Sequence, residues 1–118
     1  MRAHFNADHL EAGDLDGALA AGVFDRENGH CLMWQRSRPE DKLDDGVYFE
    51  WDDQSQGGYE LVTSCRGRRD RIEVDLGQTF DGFDGIDVDL RVVDDLYAAF
   101  VKQLIAIHRE RRGVLVVS

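Results

Sequence analysis

The residue types that most often do chemistry in proteins are scattered along this chain. Paired ligands such as Cys-x-x-Cys or His-x-x-x-His, which structural zinc sites use, do not occur in the sequence. His30 and Cys31 are adjacent and could suggest a nucleophile with its base, but neighbouring residues of a strand point to opposite faces. The sequence therefore predicts a buried cysteine beside an exposed histidine, and no metal site. The histidines and cysteines considered are His4, His9, His30, His108, Cys31 and Cys65.

Carboxylates are abundant, but no motif singles out a catalytic pair among the 24 Asp and Glu residues. The segments DLDG at 14–17 and DGFDGIDVD at 81–89 lack the spacing of a calcium-binding EF-hand loop. The sequence also contains no glycine-rich phosphate loop, no G-x-S-x-G and no H-E-x-x-H. We therefore predict no catalytic residues and no cofactor. A small hydrolase that uses Asp and Glu stays open as an alternative.

The overall charge indicates which partners suit the protein. The 118-residue chain has 24 acidic and 14 basic residues, a formal net charge of −10 at pH 7. Such a surface repels phosphate backbones and anionic lipids and attracts basic partners, although acidity can also simply keep a cytosolic protein soluble. We predict no nucleic-acid partner and no membrane partner. Basic residues cluster at 66–71 and 102–112, and we interpret them as a solvated turn and a helix C-terminus.

The chain is predicted to be cytoplasmic. Its first residues, MRAHFNADHL, contain no apolar signal-peptide core. No segment approaches the roughly 20 apolar residues of a membrane span. Two cysteines without dense spacing are typical of reduced thiols in a cytosolic protein.

Residues 45–60, DGVYFEWDDQSQGGYE, combine aromatic residues with acids that have no basic neighbour in sequence. Apolar and polar residues alternate from 46 to 52, which is typical of a strand with one buried face. Residues 53–58 are predicted to turn the chain, and 59–65 to return as a second strand. Val47, Phe49 and Trp51 would face the core, and Tyr48, Glu50 and Asp52 would face outward.

The remaining elements are predicted to be short strands followed by one helix. The first residues, RAHFNADHLEAG, alternate weakly and could form one strand. Asn-Gly turn chemistry and alternation predict strands at 15–25, 30–37, 71–76 and 86–92, with a loop between the last two. From Asp94 the apolar period changes to three or four, which predicts an amphipathic helix at 94–112 with Asp at its N-terminus. The final VLVVS could form an edge strand or a dimer contact.

These elements together predict a single domain, residues 1–118, of the α+β class. The predicted architecture is an antiparallel sheet of five to seven strands packed by one long C-terminal helix. The side chains predicted to be buried in its core are Phe49, Trp51, Val74, Val88, Phe100 and Leu104.

The order of MWQRS, a loop and then YFEWDDQSQGGY resembles the immunity protein 10 family of bacterial polymorphic toxin systems. The upstream GVFD also resembles that family. Two features depart from its pattern: Glu60 stands where a second glycine is common, and the linker before Tyr48 is short. The resemblance is carried by Gln35, Arg36, Ser37, Tyr48, Glu50, Asp53, Gln54, Gly58 and Tyr59.

This resemblance implies a small non-catalytic cytoplasmic protein that binds and neutralises a toxin domain encoded beside it. Many such toxins are nucleases with basic active sites, which an acidic inhibitor can occupy. The alternative for the turn is that Gln54, Gly58 and Tyr59 only build a tight hairpin. A homodimeric structural or regulatory domain, joined through VLVVS, is a further alternative. The predicted partner-binding residues are Tyr48, Glu50, Asp52, Asp53, Gln54 and Tyr59, with Gln35 and Arg36 holding Glu50 from the neighbouring strand.

Overall fold

Two five-stranded sheets and one helix make up the structure, a computed structural model that describes residues 1–118. Sheet A contains β1 (Arg2–Ala7), β7 (Val62–Arg68), β8 (Arg71–Phe80), β9 (Phe83–Leu90) and β10 (Leu115–Val117). Sheet B contains β2 (His9–Leu15), β3 (Ala18–Asp25), β4 (His30–Ser37), β5 (Tyr48–Trp51) and β6 (Asp53–Tyr59). The helix α1 is Asp94–Ile107.

The α+β class is confirmed, but the prediction of one antiparallel sheet of five to seven strands is wrong. Sheet B is antiparallel throughout, in the order β2-β3-β4-β5-β6. Sheet A has the order β1-β9-β8-β7-β10, and both of its edge strands pair in parallel with their neighbours. The alternation of apolar residues indicates a strand but does not show which other strand it pairs with. The pattern therefore could not predict the pairing of distant segments.

Two tight turns set strand bounds that differ from the predicted ones. Asp16 and Gly17 both have positive φ and join β2 to β3, so the strand predicted at 15–25 begins at Ala18. Asp81 and Gly82 do the same between β8 and β9, where a loop was predicted. Asp-Gly tolerates positive φ at both central positions, as two-residue hairpin turns require. The weakly alternating start of the chain is likewise two strands, β1 and β2.

The segment predicted to turn, residues 53–58, is instead strand β6. Its partner β5 is joined to it through Asp52, which has φ of 66°. A Cβ atom added at Gly57 would lie 2.8 Å from Tyr48 Oη and 2.9 Å from the Phe49 carbonyl oxygen. Glycine therefore lets β6 approach β5 closely. After β6 the chain leaves sheet B and enters β7 of sheet A.

The helix is shorter than predicted and packs on the inner side of sheet B. It has 14 residues rather than the range 94–112, and the residue before it, Val93, makes no side-chain capping bond. The helix contacts β2, β3 and β4. Phe100 is buried and meets Trp34 with ring centroids 6.1 Å apart. The helix is neither long nor apolar enough to cross a membrane.

One core of 22 buried apolar side chains joins the two sheets and the helix. All six side chains predicted to be buried belong to it, which confirms that prediction. The ring centroids of Trp51 in sheet B and Phe83 in sheet A are 5.9 Å apart. Both cysteines are free and lie in different sheets, Cys31 in β4 and Cys65 in β7.

Candidate functional site

The side of sheet B that faces away from the core is a broad surface, which we call the open face. On the inner side, Leu32, Trp34 and Phe49 are completely buried. On the outer side most residues are half-buried or exposed. The strand register places these residues on the open face: His9, Glu11, Gly13, Leu15, Ala18, Ala20, Gly22, Phe24, Cys31, Met33, Gln35, Ser37, Tyr48, Glu50, Gly57 and Tyr59.

Three predicted partner-binding residues meet at the β5–β6 end of the open face. Tyr48 donates a hydrogen bond from its hydroxyl to Glu50 Oε1 at 2.9 Å. The rings of Tyr48 and Tyr59 contact edge to face, with centroids 5.3 Å apart. Burial, followed by the bond to Glu50, raises the pKa of Tyr48 to about 12. Tyr59 is 58% exposed, so it is a surface aromatic rather than a core residue.

A small hollow lies next to this tyrosine pair. It encloses about 170 Å³ and is lined by Tyr48, Tyr59, Gln35, Leu43 and Asp45, among others. Leu43 is 83% exposed, and Asp45 forms no ion pair. This end of the open face therefore offers two aromatic rings, and the adjacent loop before β5 adds an exposed apolar side chain and a free carboxylate. Such a combination of aromatic anchors and surrounding charge is common in protein interfaces.

Of the other three predicted partner-binding residues, Asp52 joins β5 to β6, and Asp53 and Gln54 begin β6. Asp52 accepts hydrogen bonds from the Cys31 amide at 2.9 Å and from the His30 ring at 3.3 Å, so it holds the turn against β4. Asp53 accepts from the amide and the hydroxyl of Ser55, and these bonds lower the pKa of Asp53. Gln54 is exposed. Asp52 thus has a structural role that the sequence did not reveal.

Arg36 does not hold Glu50, and this prediction is wrong. The strand register places Arg36 opposite Leu19 on the inner side of sheet B, where it is only 4% exposed. Its guanidinium donates to the Ile107 and Arg109 carbonyls at 3.0 and 2.6 Å. It also binds Asp44 at 2.8 and 3.2 Å, which lowers the pKa of that carboxyl. Arg36 therefore ties the end of α1 to the loop before β5.

The sequence did not predict a larger hollow at the β2–β3 end of the open face. It encloses about 400 Å³ and is lined largely by small and apolar residues, including Gly13, Ala20 and Gly22, and it also reaches Leu96 and Ala99 of α1 beside the edge strand β2. A Cβ atom added at Gly22 would lie 2.6 Å from Phe24 Cε2, so the Phe24 ring folds over this glycine. The available signal was the spacing of Ala18, Ala20 and Gly22, which puts small residues on one face of a strand.

The open face has no basic residue other than His9. Its strand positions contain the carboxylates Glu11 and Glu50 and neither Lys nor Arg. The outer side of sheet A, which we call the ion-pair face, is different. It contains the arginines Arg2, Arg66, Arg68 and Arg71 and the carboxylates Glu73, Asp75, Asp87 and Asp89. All eight groups take part in salt bridges.

The thiols and carboxylates do not converge on a reactive centre. No group of three or more His, Cys, Asp or Glu side chains could hold a metal ion. Cys31 and His30 are both half-buried, so the predicted contrast between a buried thiol and an exposed ring is wrong. Burial raises the pKa of Cys65 to about 12; burial, with Asp52 nearby, raises that of Cys31 to about 11. Both thiols are therefore protonated near neutral pH and are weak nucleophiles.

Comparison of the chain with protein-family models, with curated proteins and with solved structures found no match. The function therefore has to be inferred from the chemistry of the open face.

Proposed function

We propose that the protein is a cytoplasmic immunity protein that binds and neutralises a bacterial toxin domain through its open face. One observation supports this most strongly. The outer side of sheet B combines the exposed Tyr59 and half-buried aromatic and small apolar residues with carboxylates, and its strand positions contain no Lys or Arg. A surface of this kind suits a protein partner that has apolar side chains and basic groups.

The two ends of the surface would contribute differently to binding. Tyr59, supported by Tyr48, can fill a pocket of the partner and exclude water around it, as aromatic anchors do. Asp45, Glu50 and Asp53 would accelerate association with a basic toxin by electrostatic steering. This chemistry suits a nuclease toxin, whose active site has to attract phosphate. Occupying that site would prevent the toxin from reaching its substrate.

The direction of the carboxyl pKa shifts supports a non-catalytic role. A general acid at neutral pH needs a raised carboxyl pKa. Every carboxyl group whose pKa is displaced has it lowered by hydrogen bonds, from Arg26 to Asp8, from Asn28 to Asp25 and from Arg111 to Glu60, for example. These are groups held in ion pairs and turns rather than groups tuned for proton transfer.

The direct test is binding of the toxin domain encoded next to the gene for this protein. The wild-type protein should bind that domain and protect cells that express it. Tyr59→Ala should weaken binding by about 30-fold or more, since truncating an aromatic anchor costs about 2 kcal/mol or more. Biolayer interferometry with purified proteins measures this change, and circular dichroism checks that the variant is folded.

Val116→Ala is the matched control, because Val116 on β10 is 54% exposed but lies in sheet A. This variant should bind the toxin domain as the wild type does. Failure of the wild-type protein to bind or protect would overturn the immunity proposal. A concentration-dependent dimer that Val116→Ala disrupts would instead support association of two copies through β10.

A further inference from the structure

We infer that the larger hollow of the open face receives an arginine side chain of the toxin partner. This inference rests on the proposed function and adds the chemistry of one contact. The hollow lies at the β2–β3 end, whereas the tyrosine pair lies on β5 and β6. Strands in a sheet are about 4.8 Å apart, so the four intervals from β2 to β6 span about 19 Å. One partner domain can contact both ends.

The floor of the hollow suits an extended aliphatic chain. Gly13 and Ala20 are opposite each other in the register of β2 and β3, and Gly22 lies two residues further along β3. A Cβ atom added at Gly13 would meet no atom within 4 Å, so the space above this residue is empty. Its volume, about 400 Å³, is at the lower end of the range of about 300–1,000 Å³ for ligand sites. That size suits a single long side chain.

The rim of the hollow suits a cation. Glu11 and Asp14 are among its lining residues, and no Lys or Arg is. The Glu11 side chain is 64% exposed, and His9 contacts one of its oxygens at 3.2 Å. The second oxygen of Glu11 has no partner. Asp14 already pairs with Arg38, so Glu11 is the carboxylate that is available to a ligand.

Arginine fits these surroundings better than lysine or an aliphatic residue does. The aromatic rings of His9 and Phe24 have centroids 5.9 Å apart and both line the hollow. A guanidinium can stack on an aromatic ring while it donates to a carboxylate, whereas an ammonium is a compact and strongly hydrated charge. The methylene groups of arginine would cover Ala20 and Gly13, as long basic side chains commonly cover apolar surface.

The first experiment uses a small probe and does not need the toxin. N-acetyl-arginine methylamide is titrated into the ¹⁵N-labelled protein, and NMR follows the amide signals. Weak binding, on the order of millimolar, should shift the signals of Gly13, Ala20 and Gly22. Glu11→Gln and Gly13→Leu should each abolish these shifts, the second by filling the hollow at a position without positive φ. Equal binding of the lysine analogue, or of the uncharged norleucine analogue, would overturn the choice of arginine.

The second experiment uses the toxin domain and separates this inference from the proposed function. Gly13→Leu should raise the Kd for the toxin domain by about tenfold or more, which corresponds to about 1.4 kcal/mol. Thr63→Leu, an exposed position in sheet A, is the control and should have no effect. If Tyr59→Ala weakens binding and Gly13→Leu does not, the arginine site is wrong while the immunity function stands. If the wild-type protein does not bind at all, both fail.

Discussion

Three of the four arginines on the outer side of sheet A pair with its four carboxylates, and the fourth, Arg68, pairs with Asp70. The outer side of sheet B carries two carboxylates and no arginine or lysine. Both surfaces are formed by five strands, and both cover the same core. On the ion-pair face each guanidinium already forms a salt bridge. Arg2, for example, donates to Asp87 at 2.7 Å and also binds Asp75.

This difference shows which surface is ready to bind a partner. A ligand that docks on the ion-pair face has to separate or desolvate paired charges, and their desolvation can exceed the gain. A ligand that docks on the open face removes water mainly from apolar groups, which is favourable. Exposed ion pairs also contribute little to stability, about 0–1 kcal/mol each. The two faces therefore differ mainly in the ligands that can bind to them, and less in how much they stabilise the fold.

The largest expected effect comes from removing the support behind the open face. Phe100→Ala should lower the free energy of unfolding by roughly 3–5 kcal/mol, as large-to-small core substitutions do. Phe100 is 1% exposed and packs on Trp34, whose strand carries Met33 and Gln35 on the open face. Urea denaturation measures the change. The unaltered stability of this variant would show that α1 does not support sheet B.

Next in size is the loss of the buried guanidinium that joins sheet B to the end of α1. Arg36→Met should lower the free energy of unfolding by about 1.5–3 kcal/mol, because its charged hydrogen bonds to Asp44 and two carbonyl groups are lost. Arg38→Met is the matched control, since Arg38 makes only an exposed pair with Asp14. It should cost about 0–1 kcal/mol. Equal losses in urea denaturation would contradict the structural role of Arg36.

A smaller effect is expected on the rate of toxin association, which should depend more on charges at and beside the open face than on charges elsewhere. Asp45→Asn with Glu50→Gln should slow toxin association about two- to fivefold and weaken its salt dependence. Asp81→Asn with Asp95→Asn changes the net charge by the same two units, but these residues lie at the β8–β9 turn and the start of α1. Stopped-flow kinetics at two salt concentrations measures both. The same slowing in both variants would mean that only net charge matters. Asp52 is left intact because it holds the turn.

The smallest expected effect is a loss of stability at acidic pH, when carboxylates of the ion-pair face become protonated. The pKa values of Asp75, Asp87 and Asp89 are lowered, mainly by hydrogen bonds from Arg66, Arg2 and His4 respectively. A lowered folded-state pKa gives stability that is present above the usual value of 3.8 and is lost as the pH falls through the folded value. The free energy of unfolding should therefore drop below about pH 4.

Asp87→Asn tests this assignment. The variant should lose less stability between pH 5 and pH 2 than the wild type, by an amount on the order of 1 kcal/mol or less. Urea denaturation at each pH measures the difference. An Asp87 variant whose acid transition matched that of the wild type would remove this carboxyl from the explanation.

The sequence predicted the inward side of the structure better than its outward side. Phe49, Trp51 and Val88 alternate with polar residues, and all three are buried as expected. Strand β6 was missed because DQSQGGY has no such alternation, and its pairing depends on backbone bonds and on Gly57. The partner of Arg36 was missed because one residue of register decides which face a side chain occupies.

The candidate site was predicted in part. Tyr48 and Glu50 share a face because they alternate on β5, as the pattern indicated, whereas Tyr59 reaches them through β6, which was not predicted. The hollow around Gly13 and Ala20 depends on the pairing of β2 with β3 and on an uncovered sheet face. The pairing is a local hairpin closed by Asp16 and Gly17, whereas the uncovered face depends on the tertiary structure.

The arrangement of strands has a consequence for how the molecule folds. Sheet B is formed by one continuous stretch of chain, His9–Tyr59, in which each strand pairs with the next one along the sequence. Sheet A is complete only when segments far apart in sequence pair, since Arg2 pairs with Gly85 and Leu115 with Cys65. Closing a long loop costs conformational entropy before the new contacts stabilise the chain. Pairings between distant segments are therefore expected to form late. We expect the surface that meets the partner to assemble first and the two edges of sheet A to dock last.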